Sequence, residues 1–371
     1  MTARTQPPFR ADHVGSLLRP TELLRARQAF AAGSLPAEEL RAAEDRAVTE
    51  VVRRQEEVGL ALATDGELRR GEWLADFVDG LGGVSRGEAT AIAAESPTGD
   101  ELTYEARQLV VSGRLHLERP VFGDDFSFLA RTVTSAMPKL SIPSPSMVHV
   151  LPASLDPAVY PDEDAFRADV AATYADELRR LFELGCRYVQ LDDTVFAFLN
   201  DPRWREMMGA MTGRSLERQH EVNLSVLNQA LSGRPDGLTV AVHMCRGNFR
   251  SGWFSSGGYD HVAEAVFAGL DVDGFFLEYD DERSGGFEPL RFVPPGKVVV
   301  LGLITTKRGA LEDRDALARR VEAASRFVAL DQLCVSPQCG FASTIEGNVI
   351  TEEEQWAKLR LVVEVAGAIW G

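Results

Sequence analysis

The sequence predicts an α/β protein, a (β/α)8 barrel with an insertion between its second and third strands. Three observations carry that expectation. Eight short β-rich runs alternate with longer segments of helical periodicity along the 371 residues. Strands separated by helices pair in parallel through right-handed crossovers, and eight such units fill one barrel of this length. The first turn also lacks the GxGxxG loop of a doubly wound dinucleotide-binding sheet.

The first run is Ala11–Ser16, ending in His13-Val14-Gly15-Ser16. A helix starts at Leu35-Pro36-Ala37-Glu38-Glu39, with Ser34 read as its cap. The second run, Leu60–Thr64, leads into Asp65-Gly66-Glu67. The rhythm then breaks. Gly82-Gly83, Pro97-Thr98-Gly99-Asp100 and the alternating piece Gln108–Leu117 mark an insertion over about residues 83–140, read as a hairpin plus a short helix. The third run is Met147–Leu151. Asp162–Gly185 is an amphipathic helix with Phe166, Val170, Tyr174, Leu178 and Leu181 on one face. The remaining runs are Tyr188–Leu191, Thr239–His243, Phe275–Glu278, Val298–Leu303 and Leu333–Ser336, with further helices at Asp313–Leu330 and Thr351–Trp370. No linker divides the chain, so residues 1–371 read as one domain.

Composition narrows the function. At 45% hydrophobic and 26% charged residues the chain is ordinarily globular. Lys+Arg 39 against Asp+Glu 56 leaves −17, which argues against the basic face of a nucleic-acid binder. No apolar run is long enough to span a membrane, and Met1–Arg10 lacks the apolar core of a signal peptide, so a cytoplasmic location is expected. In that reducing compartment the four cysteines do not form a disulfide framework. They are buried hydrophobes, reactive thiols or metal ligands.

Catalytic groups of such barrels sit where strands end at the C-terminal face. The unusual polar residues collect there: Glu67, Asp192-Asp193, His243-Met244-Cys245, Glu278 and Gln338-Cys339-Gly340. An imidazole, two thiolates and a carboxylate suit tetrahedral Zn²⁺. His243 and Cys245 lie two apart on one strand and so point to the same side. By spacing alone, a buried histidine, two inert thiols and a salt-bridged Glu278 fit as well. Cys186 and Cys334 read as core residues, and His13 as either a mouth residue or a structural histidine.

His243-Met244-Cys245, Phe275-Phe276-Leu277-Glu278 and Val335-Ser336-Pro337-Gln338-Cys339-Gly340 resemble the three zinc motifs of cobalamin-independent methionine synthase, in its C-terminal catalytic barrel. Val14-Gly15-Ser16, Gly66-Glu67 and Val189-Gln190-Leu191-Asp192 are similar to its Ile-Gly-Ser, Gly-Glu and Val-Gln-Ile-Asp, in the same order. The resemblance spans about Arg10 to the C-terminus. It implies Zn²⁺ held by His243, Cys245, Glu278 and Cys339. It also implies that Glu67 and Asp192 hold the ammonium of a homocysteine-like thiol, and that Val14–Ser16 takes its carboxylate. The implied reaction is attack of a substrate thiolate on a methyl or alkyl donor, as in methionine synthesis. Single-barrel relatives include epoxide:coenzyme M transferases, where Arg246 or Arg250 would face an anionic group of another small thiol. A uroporphyrinogen decarboxylase-like barrel enzyme is the competing expectation, and it would not need the thiolates.

The departures lie on the donor side. Ile304-Thr305-Thr306-Lys307 stands where the synthase carries a histidine, Asp192-Asp193-Thr194 replaces Asp-Glu-Pro, and Arg246-Gly247-Asn248-Phe249-Arg250 follows the His-x-Cys. One barrel stands where the synthase has two, so polyglutamyl folate is expected to be a poor donor. Lys307 reads either as a proton donor to a leaving alkoxide or amine or, the commoner case, as a solvated loop lysine. Ser251–Tyr259, with Gly252, Gly257 and Gly258, reads as a mobile lid.

Overall fold

Runs that are apolar on both faces suit a parallel sheet covered by helices, and these runs become the central strands. The computed structural model describes residues 4–97, 99, 102–150 and 155–371. In chain order, the N-terminal part holds α1 (Thr21–Ala31), α2 (Ala37–Val58), β1 (Leu62–Ala63), α3 (Ala75–Asp79), β2 (Gly82–Ala94), β3 (Leu102–His116) and α4 (Gly123–Thr132). The middle holds β4 (Met137–Pro138), β5 (Leu140–Pro143), α5 (Pro145–His149), α6 (Glu163–Glu183), β6 (Tyr188–Asp193), α7 (Val195–Phe198), α8 (Pro202–Thr212) and α9 (Leu216–Leu231). Then come β7 (Thr239–Met244), α10 (Ala263–Gly269), β8 (Gly274–Glu278), β9 (Val298–Ile304), α11 (Arg314–Ala324), β10 (Leu333–Pro337) and α12 (Glu352–Trp370).

Strands β5 to β10 form one parallel sheet in sequence order. β4 runs into β5 and pairs in parallel with β1. The first predicted run is bound to β10, with Val335 donating to the Arg10 carbonyl (2.9 Å) and Asp12 donating to the Val335 carbonyl (3.0 Å). On its other side Leu17 donates to the Gly66 carbonyl beyond β1 (2.9 Å). Val14, Tyr188, Ala241, Phe276, Val298, Val300 and Cys334 pack together as a small cluster contributed by these strands. A much larger apolar core lies between strands and helices. Among the described residues no helix is long and apolar enough to cross a membrane.

Three sequence expectations need correction. The third strand is not Met147–Leu151. Residues Pro145–His149 form a one-turn helix, with Pro145 in its first turn, and Leu151 lies outside the described residues. The strand is Met137–Pro143, where Lys139 interrupts the apolar pattern. That lysine is fully buried, with its ammonium 2.9 Å from Asp12 and 2.5 Å from the His13 carbonyl. The insertion is also shorter than expected. The antiparallel hairpin β2–β3 covers Gly82–His116, and α4 is the helix that leads to the third strand; Thr98 and Asp100 lie outside the described residues. Finally, Ser34 does not cap α2. Its hydroxyl bonds back to the Ala29 carbonyl, and Pro36 occupies the N-cap position.

Cys186 and Cys334 are core residues whose thiols burial pushes up to about 12. His13 is structural. It is buried against Gln55 (2.9 Å), and burial pushes it down to about 3.

Glu177 of α6 is buried where both its oxygens accept from the Val121 amide (3.1 and 3.3 Å). Burial pushes its carboxyl up to about 8, against an ordinary 4.5. The native state therefore holds this proton more tightly than the unfolded chain, and stability falls as pH rises from about 4.5 to about 8. Glu177→Gln should flatten that slope. It should match the parent near pH 5 and exceed it above pH 8 by roughly 2–4 kcal/mol, read from urea midpoints across pH.

Candidate active site

The C-terminal ends of the strands open into a cavity of about 670 Å³. β7 delivers His243 and continues to Cys245, β8 ends on Glu278, and β10 leads to Cys339. The parallel register sets His243 beside Phe276 and Asp192 beside His243. One ligand atom from each of His243, Cys245, Glu278 and Cys339 lies within 4.8 Å of the others, and all four residues are buried. The two sulfurs are 3.5 Å apart.

The donor set can be tested for zinc on the polar atoms it leaves unsatisfied. Neither ring nitrogen of His243 has a hydrogen-bond partner, and neither does Oε2 of Glu278. Buried polar groups are rarely left so. Tetrahedral zinc with bonds of ~2.3 Å to sulfur spaces two thiolates ~3.8 Å apart, close to what the cysteines show. The set fits the metal. The other Glu278 oxygen accepts from the Arg246 amide (2.8 Å), which orients the carboxylate. Burial pushes Glu278 up, and the neighbouring Cys339 adds to that rise. Between the sulfurs, a hydrogen bond from Cys245 draws Cys339 well down, while Cys245 keeps its proton.

A second group of carboxylates flanks this cluster. Glu67 has φ 56, a left-handed conformation that costs a non-glycine residue energy and collects at functional sites. Its amide donates to Asp65 (2.9 Å). The resulting turn brings its carboxylate against Gly15, where an added Cβ would lie 3.3 Å from Glu67 Oε1 and 2.4 Å from Ser141 Oγ. Only glycine fits there. Arg70 stands 3.6 Å from the far oxygen of Glu67, whereas Arg69 turns to Asp45 and Asp125. Asp192 accepts from Gln190 (2.6 Å), and burial pushes it up to about 7 against the pull of His243. The neighbouring Asp193 accepts from the Phe196 amide (2.9 Å) and from Ser144 (2.5 Å). Val14, Ser16, Glu67 and Asp192 thus line the same cavity as His243, Cys245 and Cys339.

The profile described as "Cobalamin-independent synthase, Catalytic domain" matches residues 119–368. The chain belongs to this family. It is 47% identical over 365 residues to protein YxjH of Bacillus subtilis (strain 168), covering 98% of this chain and 95% of that one. It is 24% identical over 334 residues to a methionine synthase of Pyrococcus abyssi, covering 88% and 84%. A crystal structure from Listeria monocytogenes, provisionally named a vitamin-B12-independent methionine synthase, superposes with a TM-score of 0.80 at 36% identity, covering 99% and 100%.

Two residues of this synthase-family chain lie elsewhere than the sequence placed them. Arg246 does not face the cavity. It is fully buried, and its guanidinium donates to the carbonyls of Gly257 (2.7 Å) and Glu278 (2.9 Å) and to the Tyr259 hydroxyl (2.9 Å). Five rigid donors on a buried fork seek carbonyl partners, so Arg246 braces the loop and the Glu278 strand end. Lys307 is not solvated either. It is buried and donates to the Gly252 carbonyl (3.0 Å). Ser251–Tyr259 is accordingly tied down: Ser251 donates to Asn348 (3.0 Å), and Trp253 exchanges backbone bonds with Glu95 of the hairpin (2.7 and 2.9 Å).

The hairpin is what sequence reasoning missed. Ile92, Tyr104 and Leu109 line the cavity together with Trp73, Met147 and Phe198. They lie in the insertion, where no strand-end rule applies. The one available signal was the alternating pattern of the insertion.

Arg246→Met should leave the Gly257 and Glu278 carbonyls unpaired and lower unfolding free energy by roughly 2–4 kcal/mol. Urea unfolding checks it. A residue that only bound substrate would leave the midpoint unchanged.

Proposed function

We propose that the protein is a zinc-dependent thiol alkyltransferase, in which a homocysteine-like thiol attacks a methyl or alkyl donor as in methionine synthesis. In this reading the eight parallel strands close into a (β/α)8 barrel with the site at its C-terminal mouth. One observation carries it: four buried ligand atoms lie within 4.8 Å of one another, and three of their residues, His243, Cys245 and Cys339, line a cavity together with two further carboxylates, Glu67 and Asp192. Family membership and the resemblance to the archaeal methionine synthase support the same chemistry.

Zn²⁺ held by His243, Cys245, Glu278 and Cys339 would bind the substrate sulfur and stabilise it as a thiolate at neutral pH. Glu67 and Asp192 hold the substrate ammonium, since a cation entering a buried site needs carboxylate partners. Gly15 leaves room for close backbone approach, and Val14–Ser16 takes the carboxylate. These contacts fix the amino acid at both ends and aim its sulfur at the cavity. Ile92, Tyr104 and Leu109 of the hairpin add apolar surface to the same cavity.

The purified protein should contain about one zinc per chain by elemental analysis, and Cys339→Ser should lose most of it. Homocysteine should add a sulfur neighbour in zinc X-ray absorption spectra. A zinc environment indifferent to the thiol would mark a closed structural site and sink the proposal.

A further inference from the structure

Alkyl transfer to sulfur from a nitrogen or oxygen leaves that atom with an electron pair and no proton. A basic leaving atom departs readily only if an acid protonates it. We propose that Glu72 is that acid, and that the donor therefore carries its alkyl group on a basic nitrogen or oxygen. This rests on the alkyltransferase reading and extends it to the second substrate.

The placement is structural. Glu72 lines the same cavity as Cys339, His243 and Asp192. Its backbone forms an antiparallel bridge with Thr344, and Trp73 donates to the Ser343 carbonyl (3.3 Å). Ser343 and Thr344 belong to the loop that begins at Cys339, so one loop pair carries a metal ligand and Glu72 together.

Elimination points to the same residue. Among the described residues that line the cavity, His243, Cys245 and Cys339 belong to the ligand set, and Glu67 and Asp192 serve the ammonium. Arg86, Arg107 and Arg203 also reach the cavity, but a guanidinium does not give up its proton near neutral pH. Tyr104 is a phenol, a class that ordinarily titrates near ~10. Glu72 is the carboxylic acid that remains.

Its surroundings keep it protonated near neutrality. Burial is the main cause, the carboxylates of Asp76 and Glu346 add to it, and Arg86 and Arg107 oppose it, bringing Glu72 up to about 7. Asp76 is held in place by the Gly71 amide (2.5 Å), and Arg86 is paired with Asp79. An acid titrating near the working pH gives up its proton and recovers it from solvent within one cycle.

The step balances. The substrate sulfur forms the new S–C bond, and the bond from carbon to nitrogen or oxygen breaks with its pair going to the heteroatom. The Glu72 proton moves to that atom. The resulting carboxylate takes a proton from water to restore the acid.

The test uses the zinc-loaded enzyme with homocysteine, Glu72→Gln, and donors of different leaving groups. Methyl iodide needs no proton on its leaving group, whereas 5-methyltetrahydrofolate monoglutamate and propylene oxide do. The variant should alkylate homocysteine with methyl iodide within about 2-fold of the parent. With whichever of the other two the parent uses, it should lose ~10²-fold or more in kcat, together with the pH limb near 7. Tyr104→Phe, which keeps the ring in the cavity wall, should keep the pH limb near 7. In metal-free protein with ¹³C-labelled glutamate carboxyls, a resonance titrating near 7 should vanish in Glu72→Gln.

A Glu72→Gln enzyme with the parent's rate and pH profile overturns the proposal, as does transfer of the whole defect to Tyr104→Phe. So does a parent that accepts only S-methylmethionine or methylcobalamin, whose leaving groups take no proton. Failure of the parent with methyl iodide instead removes the alkyltransferase reading on which the proposal stands.

Discussion

The ion pair between Lys139 and Asp12 holds the first segment of the chain where the site needs it. Both side chains are fully buried, 2.9 Å apart. An isolated buried pair gains little over an apolar one, because desolvation offsets the attraction. Here the remaining valences are filled. The second Asp12 oxygen accepts from Tyr188 (3.0 Å) and from the Phe9 amide (3.1 Å), and the ammonium also meets the His13 carbonyl. The rings of Phe276 and Tyr188 lie 4.1 and 4.9 Å from the ammonium. Breaking one member would strand a charge in the core, so the network is held as a unit.

That network matters because the segment after it has little sheet to hold it. Its backbone pairs with β10 only around Ala11. Beyond that point its backbone is met at Ser16, which accepts from the Phe341 amide (2.9 Å), and at Leu17, and between these side chains do the work. Ser141 and Gln190 both donate to the Val14 carbonyl (3.1 and 2.7 Å), and Thr64 donates to the Gly15 carbonyl (2.7 Å). Gln190 also reaches Asp192 (2.6 Å). Val14 and Gly15 are thus suspended from buried polar groups of three different strand segments, which fixes Val14–Ser16 relative to the carboxylates.

This explains what the sequence disclosed and what it hid. His243, Cys245, Glu278 and Cys339 were legible because each follows an apolar strand, and strand ends converge by topology. Lys139 was hidden for the converse reason. Periodicity treats a lysine as a surface residue, and its partner Asp12 lies 127 positions away. The third strand was therefore moved onto Met147, where the local pattern is more apolar but Pro145 starts a helix. Arg246 was misread because its position in the motif does not reveal direction. A guanidinium beside a cavity turns toward whichever carbonyls lie closer, and those belong to Gly257 and Glu278. Glu72 carried no signal at all, because its meaning depends on the loop of Ser343 and Thr344 folding against it.

The two ends of the cavity are coupled by charge. With a metal bound, Cys245 and Cys339 as thiolates and Glu278 as carboxylate would bring −3 to one side, beside the carboxyls of Glu67 and Asp192. Burial raises Glu67, Asp192 and Glu278, so a cation bound beside them would favour their ionised forms. Under the proposed function, a divalent cation among the ligands would stabilise the ionised form of each neighbouring carboxylate, and those ionised forms are what a substrate ammonium would require, so either cation would favour the other. Carboxylates and thiols gather where the strands end, while the hairpin adds both apolar and basic side chains to the same cavity, an arrangement that under the proposed function would hold the charged end of a small thiol beside the ligand cluster.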